Sequence, residues 1–402
     1  MDTHMFRIIV QIVLFCSLIN TIHAQDNGVL HVHNLPYYNF GKGVGITSSD
    51  SLFQFNIRFR IQNRFSYIHN EGKDDAFDGQ IRRLRLRFDG YLGDPRFIYL
   101  LQLSFAPGDV GEIEEGSNII RDAVGFYKIN NNWNIGFGQT KLPGNRQRVN
   151  SSGGLQLSDR TINNSRFNID RDFGFFINHI NEVRDKFSWN VKASISTGDG
   201  RNFTKSPDNG LAYTAKLELL PLGKFEKDGV YFEGDLIREK TPKVMVSAAY
   251  HFNHKAKRQS GQLGDLLYES RNLKSILIDG LLKYKGFALS ASYMNRNVDN
   301  PITTNTLGDQ VLVYKGQGVD VQSSYFISDK WELIGRYSEQ HAHKQIAAYY
   351  PEQQQYILGL TNYIWEHAFK LQFEAAYDRF KDNQTLSVKD NFYLRFQIEM
   401  GI

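Results

Sequence analysis

Hydrophobic and polar residues alternate along residues 51–67 and again along 81–90. In the first run Phe53, Phe55, Ile57, Phe59, Ile61 and Phe65 share one phase, and Gln54, Asn56, Arg58, Arg60, Gln62 and Arg64 share the other. In the second, Leu84, Leu86 and Phe88 oppose Arg83, Arg85, Arg87 and Asp89. Successive side chains of a β-strand point to opposite faces. Each run therefore predicts a strand with one apolar and one charged face. Two architectures share that local pattern. A soluble sandwich turns its charged face to bulk water. A membrane barrel turns its apolar face to lipid and its polar face to an aqueous lumen.

The rest of the chain separates the two. Alternating segments of about ten residues, the length a tilted spanning strand needs, recur to the C-terminus. They fall near 52–65, 81–92, 96–105, 119–130, 132–140, 171–180, 186–197, 211–220, 243–253, 274–285, 286–296, 317–326, 330–339, 355–363, 367–377 and 390–401. The connections alternate in length. Long ones lie near 66–80, 106–118, 141–170, 198–210, 254–273, 297–316, 340–354 and 378–389. Short ones are Gly93-Asp94-Pro95, Asn130-Asn131, 181–185, Lys285-Gly286, Ser328-Asp329 and 364–366. A sandwich has no reason to sort its loops this way, whereas an outer-membrane barrel has short periplasmic turns and long extracellular loops. The reading is all-β: a transmembrane antiparallel barrel of about 16 strands over residues 51–402. Residues 221–242 break the rule, being long where a short turn is due. They serve either as a long periplasmic connection or, through Val230-Tyr231-Phe232, as further strand. Trp133, Trp189, Trp331 and Trp365 all map to the short-turn end, as expected of residues that favour the membrane interface.

Residues 1–24 read as a secretory signal, with Arg7 before an apolar run at 8–22 and cleavage between Ala24 and Gln25. Residues 25–50 read as an N-terminal lead-in. The single cysteine, Cys16, lies in the signal, so disulfide and thiolate chemistry are excluded from the mature chain. Lysine and arginine number 47 against 43 acidic residues, a net +4 without a concentrated basic tract. That excludes nucleic acid as the expected partner. There is no Walker-type loop, no His-Glu-x-x-His and no paired Cys, so no cofactor, metal or enzymatic reaction is predicted. His251 and His254 are close in sequence but fall on opposite strand faces.

Residues 122–174 are more particular. They contain Gly138, Gln139, Lys141, Pro143 and Arg146, and close on Arg171, Asp172 and Gly174. This Gly-Gln-x-Lys-x-Pro strand end, with a long loop closed by Arg-Asp-x-Gly, resembles the phosphate-selective porin O and P family of outer-membrane barrels, in particular its Bacteroidetes-type members. The resemblance covers nearly all of the mature chain. It implies a trimeric, 16-stranded channel, often anion-preferring, in the outer membrane of a Gram-negative bacterium. Its partners would be outer-membrane lipid and small anions as solutes. It also implies that the third long loop folds inward and sets a constriction.

With the apolar phase toward lipid, Arg58, Arg60, Arg64, Arg83, Arg85 and Arg87 face the lumen on two adjacent strands, opposed on that patch only by Asp89. Other lumen phases look balanced: Lys216 with Glu218, Arg336 with Glu332, Lys370 with Glu374, and Arg395 with Glu399. Guanidinium groups remain charged and bind phosphate or carboxylate through a planar fork. A row of them in a pore gives an anion a path along which to exchange partners. The third loop adds Lys141, Arg146, Arg148, Arg160 and Arg166 against Asp159 and Asp170, and its Gly153-Gly154 pair suits a tight bend of positive φ. The acidic stretch at 108–116 reads as solvated surface. The expected function is anion-preferring passive diffusion. A non-selective porin with a structural arginine row, and a closed barrel acting as a scaffold or surface-interaction protein, stand as alternatives.

Overall fold

Phe53, Phe59 and Phe65 are 42%, 40% and 52% exposed, whereas Gln54, Asn56 and Arg58 between them are buried. The inversion continues along the sheet: Phe175, Leu358 and Leu394 are exposed while Lys192, Lys216 and Glu332 are buried. A sandwich core would show the reverse. The computed structural model describes residues 43–110, 119–202 and 209–402. The expected signal at 1–24 and most of the expected lead-in lie outside the described residues.

The strands are β1 (Val44–Thr47), β2 (Phe53–Asn70), β3 (Ala76–Leu92), β4 (Asp94–Ser104), β5 (Ile120–Lys128), β6 (Trp133–Lys141), β7 (Arg171–Asn181), β8 (Ser188–Ser196), β9 (Ala212–Leu220), β10 (Lys243–Arg258), β11 (Leu266–Tyr284), β12 (Phe287–Asn297), β13 (Ile302–Thr304), β14 (Gln310–Leu312), β15 (Gly316–Phe326), β16 (Trp331–Ala342), β17 (Glu352–Trp365), β18 (Phe369–Lys381) and β19 (Val388–Gly401). Sixteen of them form a closed antiparallel barrel. β9 pairs with β10, and β19 closes on β2 with Gly401 opposite Arg60. β1 pairs with β2 just beyond the end of β19, Thr47 opposite Gln54. Residues 44–47 thus complete the seam. β13 and β14 form a separate hairpin in the β12–β15 loop.

Each expected spanning segment is a barrel strand. Val230-Tyr231-Phe232 is not: it lies in and just after a 3-10 turn, Glu226–Tyr231. The largest boundary differences are at loop ends. β2 and β3 run on until only residues 71–75 join them, and β10 and β11 extend likewise. Above the lipid both faces of a hairpin are wetted, so alternation no longer marks its pairing. The short turns hold. Lys285 and Gly286 both take positive φ, 48° and 85°, as a two-residue hairpin turn matched to strand twist requires.

Two aromatic belts bound the apolar exterior. At the short-turn end Trp133, His179 and Trp189 follow one another at 4.6 and 4.3 Å. At the other end Tyr337, Tyr356 and Tyr377 follow one another at 5.0 and 6.3 Å. From Tyr356 to Trp365 the strand spans about 30 Å, or about 23 Å of height at the usual tilt. Phe373 sits between the belts and is exposed. Phe373→Arg, measured against Phe373→Ala, should cost about 2–4 kcal/mol of folding free energy, the usual charge for Arg near the midplane. Urea titration of the barrel in lipid vesicles reads this directly. A difference near zero would place Phe373 away from lipid.

Candidate functional site

The β2–β3 register sets Arg58 opposite Arg87, Arg60 opposite Arg85, and Gln62 opposite Arg83. Like charges facing one another across strands are destabilising, so the row needs counter-charges. Asp89 supplies one, 3.3 Å from Arg58 and 2.9 Å from Arg87. The others come from elsewhere in the chain. Asp109 lies 2.6 Å from Arg85 and 2.7 Å from Arg121. It belongs to the acidic stretch read as solvated surface, yet it turns inward; Glu112, Glu114 and Glu115 lie outside the described residues. Glu399 of β19 is 3.9 Å from Arg60. Asp159, from the third loop, is paired with Arg64, with Arg82 at 2.9 Å, Arg83 at 3.4 Å and Arg395 at 3.9 Å. The expectation that Asp89 alone opposes the row is corrected. Loop closure brings in acids from remote parts of the sequence.

Arg82 is the residue that sequence alternation misses. Period two assigns it to the lipid face. Between Gln62 and Asn63 the register slips, leaving Arg82 unopposed in a β-bulge. A bulge re-aims one side chain and increases local twist. Arg82 thereby sends Nε and Nη2 to Asp159, 3.2 and 2.9 Å from Oδ1. The warning in the sequence is a charge on the apolar phase, between Ile81 and Leu84.

Residues 142–170 join β6 to β7 through short helices at Arg146–Val149, Ser152–Gly154 and Ile162–Phe167. Thr161 caps the last, its Oγ1 accepting from Asn164 N at 3.1 Å, one of the four donors a helix start leaves unpaired. Gly153 and Gly154 do not take the positive φ expected of them; they form the 3-10 turn. The segment donates to carboxylates on distant strands. Thr161 and Asn163 donate to Asp320 at 3.0 and 2.9 Å, Gln156 to Glu332 at 2.6 Å, and Ser158 through N and Oγ to Glu374 at 3.0 and 2.7 Å. Leu157 packs with Ile334, Ile357 and Ala376. On the arginine face, Arg60 donates to Ser151 and Ser152 at 3.0 and 2.7 Å. The segment therefore lies between the basic strands β2–β3 and the acidic strands β15–β18.

Its own basic residues have separate fates. Arg148 pairs with Asp170 at 2.6 Å. Arg146 donates to the backbone oxygens of Val230 and Phe232. Lys141 donates to the Val149 and Asn150 carbonyls at 2.6 and 3.1 Å. Arg166 lies over the rings of Tyr314 and Tyr350, 5.2 and 5.3 Å from their centres. Among the described residues Arg160 donates only to carbonyls, those of Gln147 at 2.6 Å and Asn150 at 3.2 Å. Burial pushes its pKa well down, and the guanidiniums of Arg148, Arg83, Arg85 and Arg171 add to the effect. Burial works against the charge on Asp159, but Arg82, Arg83 and Arg64 outweigh it and hold the carboxyl far below the usual range. A cavity of about 30 Å³ on the row is lined by Arg58, Arg60, Arg85, Arg87 and Gln102, room for one water or a small ion.

Two of the anticipated lumen pairs are exchanged. Lys370 pairs with Glu399 at 3.4 Å and Arg395 with Glu374 at 2.9 Å. The β18–β19 register puts Lys370 opposite Glu399 and Glu374 opposite Arg395. Glu332 accepts from Tyr363, Ser324 and Gln156, while Arg336 donates to Asp159 O. Lys216 and Glu218 do pair, at 3.0 Å. Among the described residues no cluster of His, Cys, Asp and Glu is disposed to hold a metal.

A closed barrel with an apolar belted exterior and a charged interior defines an outer-membrane β-barrel protein. The model of the phosphate-selective porin O and P family matches residues 55–400, and the chain belongs to that family. It is a channel protein of the Gram-negative outer membrane, not an enzyme. Similar solved structures include OmpF of Salmonella typhi in complex with daunomycin, 13% identical, covering 88% of this chain and 100% of that one with a TM-score of 0.54. The outer-membrane channel DcaP of Acinetobacter baumannii is 12% identical, covering 89% and 99% with a TM-score of 0.53. An anion-selective porin from Comamonas acidovorans is 11% identical, covering 87% and 100% with a TM-score of 0.52. These likenesses bear on the fold alone. No curated protein matches the sequence.

Proposed function

We propose that this porin conducts small anions in preference to cations, along the arginine face of a lumen narrowed by residues 142–170. The observation that carries the reading is the charge balance around Arg160. It has no acidic partner among the described residues and shares its surroundings with Arg148, Arg83, Arg85 and Arg171. Meanwhile Asp320, Glu332 and Glu374 on the far wall are covered by donors of the third loop. An anion then meets guanidiniums while a cation finds the carboxylates occupied. Phosphate and carboxylates gain most, because they can use the guanidinium fork. The assembly that goes with this reading is the homotrimer implied by the family.

The reversal potential of the protein in a planar bilayer under a potassium chloride gradient tests the proposal. Anion preference should give the sign of a chloride-permeable pore, strongest at low salt. A reversal potential near zero would favour the second reading, a non-selective porin. That reading has its own support: each of Arg58, Arg60, Arg64, Arg83, Arg85 and Arg87 has a partner in the wall or loops. A scaffold would carry no current.

A further inference from the structure

β9 and β10 are neighbours in the barrel, with Leu219 opposite Val246. A two-residue turn would join such strands, yet residues 221–242 do so. This chain is tied to the short-turn rim. The Asp235 carboxylate accepts from Gly286 N at 2.7 Å and Glu239 N at 3.1 Å. Lys285 N donates to Glu239 O at 2.9 Å. Arg238 donates to Ser328 O at 2.8 Å and lies over the Phe326 ring. From that rim the chain turns inward. Phe225 packs with Leu220, Met245 and Leu281 on the inner wall. Lys283 Nζ, buried, donates to Gly229 O at 2.7 Å and Gly234 O at 2.5 Å.

The inward part meets the third loop. Arg146 Nε and Nη2 donate to Val230 O at 3.1 and 2.9 Å, and Nη2 also to Phe232 O. Glu233 N donates to Gly154 O at 3.1 Å. The Glu233 carboxylate accepts from Gln156 N at 2.9 Å, Gln147 Nε2 at 2.8 Å and Gln322 Nε2 at 3.1 Å. A Cβ on Gly154 would stand 3.0 Å from Tyr231 O, a contact tight enough to push the two backbones apart by a few tenths of an ångström. Buried polar groups are costly unless paired. Here the pairing is reciprocal, and neither segment keeps its partners if the other moves.

We propose that residues 221–242 form a plug that narrows the lumen from the periplasmic side and positions the third loop from below, with Arg146 as the positioning residue. The extra chain is then an occluding element rather than a connection. Arg146, expected from sequence to face passing anions, instead spends its guanidinium on the plug's carbonyls. The plug leaves the arginine face in place, so this inference is independent of anion preference.

Two variants of the full-length porin test it by single-channel recording. In the first, residues 223–242 are replaced by Asn-Gly, which continues the β9–β10 register into a tight hairpin. Conductance should rise by roughly a factor of two, since pore diameter limits conduction, while the sign of the reversal potential stays that of the parent. Unchanged conductance in a barrel that still shows heat-modifiable migration overturns the plug. In the second, Arg146→Ala keeps the plug but removes its hold on the loop. Steady parent currents should give way to frequent steps between conductance levels, with the reversal potential unmoved. If the hairpin variant does not assemble, this variant decides alone. Steady current, or a reversal potential shifted toward cations at steady current, makes Arg146 a lining residue and overturns the proposal.

Discussion

Replacing Arg60, Arg83 and Arg85 together by Gln should move the reversal potential from anion toward cation permeability. Glutamine retains a donor but no charge, so hydrogen bonds to Ser151, Ser152 and Gln62 can survive in part. The electrostatics cannot. Asp109 is left to Arg121, Glu399 to Lys370, and Asp159 to Arg64, Arg82 and Arg395. Removing one partner of a buried ion pair typically costs about 3–5 kcal/mol, because the other charge stays behind. Noisier currents should therefore accompany the loss of selectivity. The shift should be largest at low salt and shrink as ionic strength rises, since screening acts over about 10 Å at 0.1 M. Phosphate should lose more than chloride, having used the fork. A triple variant with the parent's reversal potential at low salt would make the row structural.

Deleting residues 151–160 and bridging the gap with Gly-Ser should raise single-channel conductance more than any point substitution. The deletion removes Gln156, Leu157 and Ser158, which reach β15–β18, together with Asp159, which reaches β2, β3 and β19. Anion preference should weaken at low salt, because Arg160 goes with the segment and Glu332 and Glu374 lose the donors that cover them, although the wall arginines stay. Unchanged conductance with altered selectivity would mean that the loop lines the path without narrowing it. Planar-bilayer recordings of conductance and reversal potential on one preparation separate these outcomes.

The barrel was legible because its evidence is local. Phe53 to Arg64 alternate because pleat geometry sends neighbours to opposite faces, and Lys285-Gly286 turns because two residues of positive φ suit a tight hairpin. The site was legible only by halves. The phase of Arg58, Arg60, Arg83, Arg85 and Arg87 could be read from alternation. Their partners could not, because Asp109 and Asp159 are brought to them by loops without periodicity. Arg82 was hidden by a bulge, which one-residue arithmetic cannot anticipate.

Register marks the same boundary. Lys370 and Glu374 are near in sequence and on one face, so they look like a pair. In the barrel each has a closer neighbour across the strand gap, Glu399 and Arg395. Residues 221–242 are the extreme case. Their length showed that no simple turn was intended, but their destination depends on Arg146, Lys283 and Gly286, contributed by three other parts of the chain. Sequence by itself determined the strands, their faces, the lipid-facing exterior and the end at which the short turns lie, since those follow from period-two geometry and turn chemistry. Only the tertiary structure decided which charges meet and what the loops touch inside the barrel, because ion pairing depends on distances across the lumen that spacing along the chain does not encode.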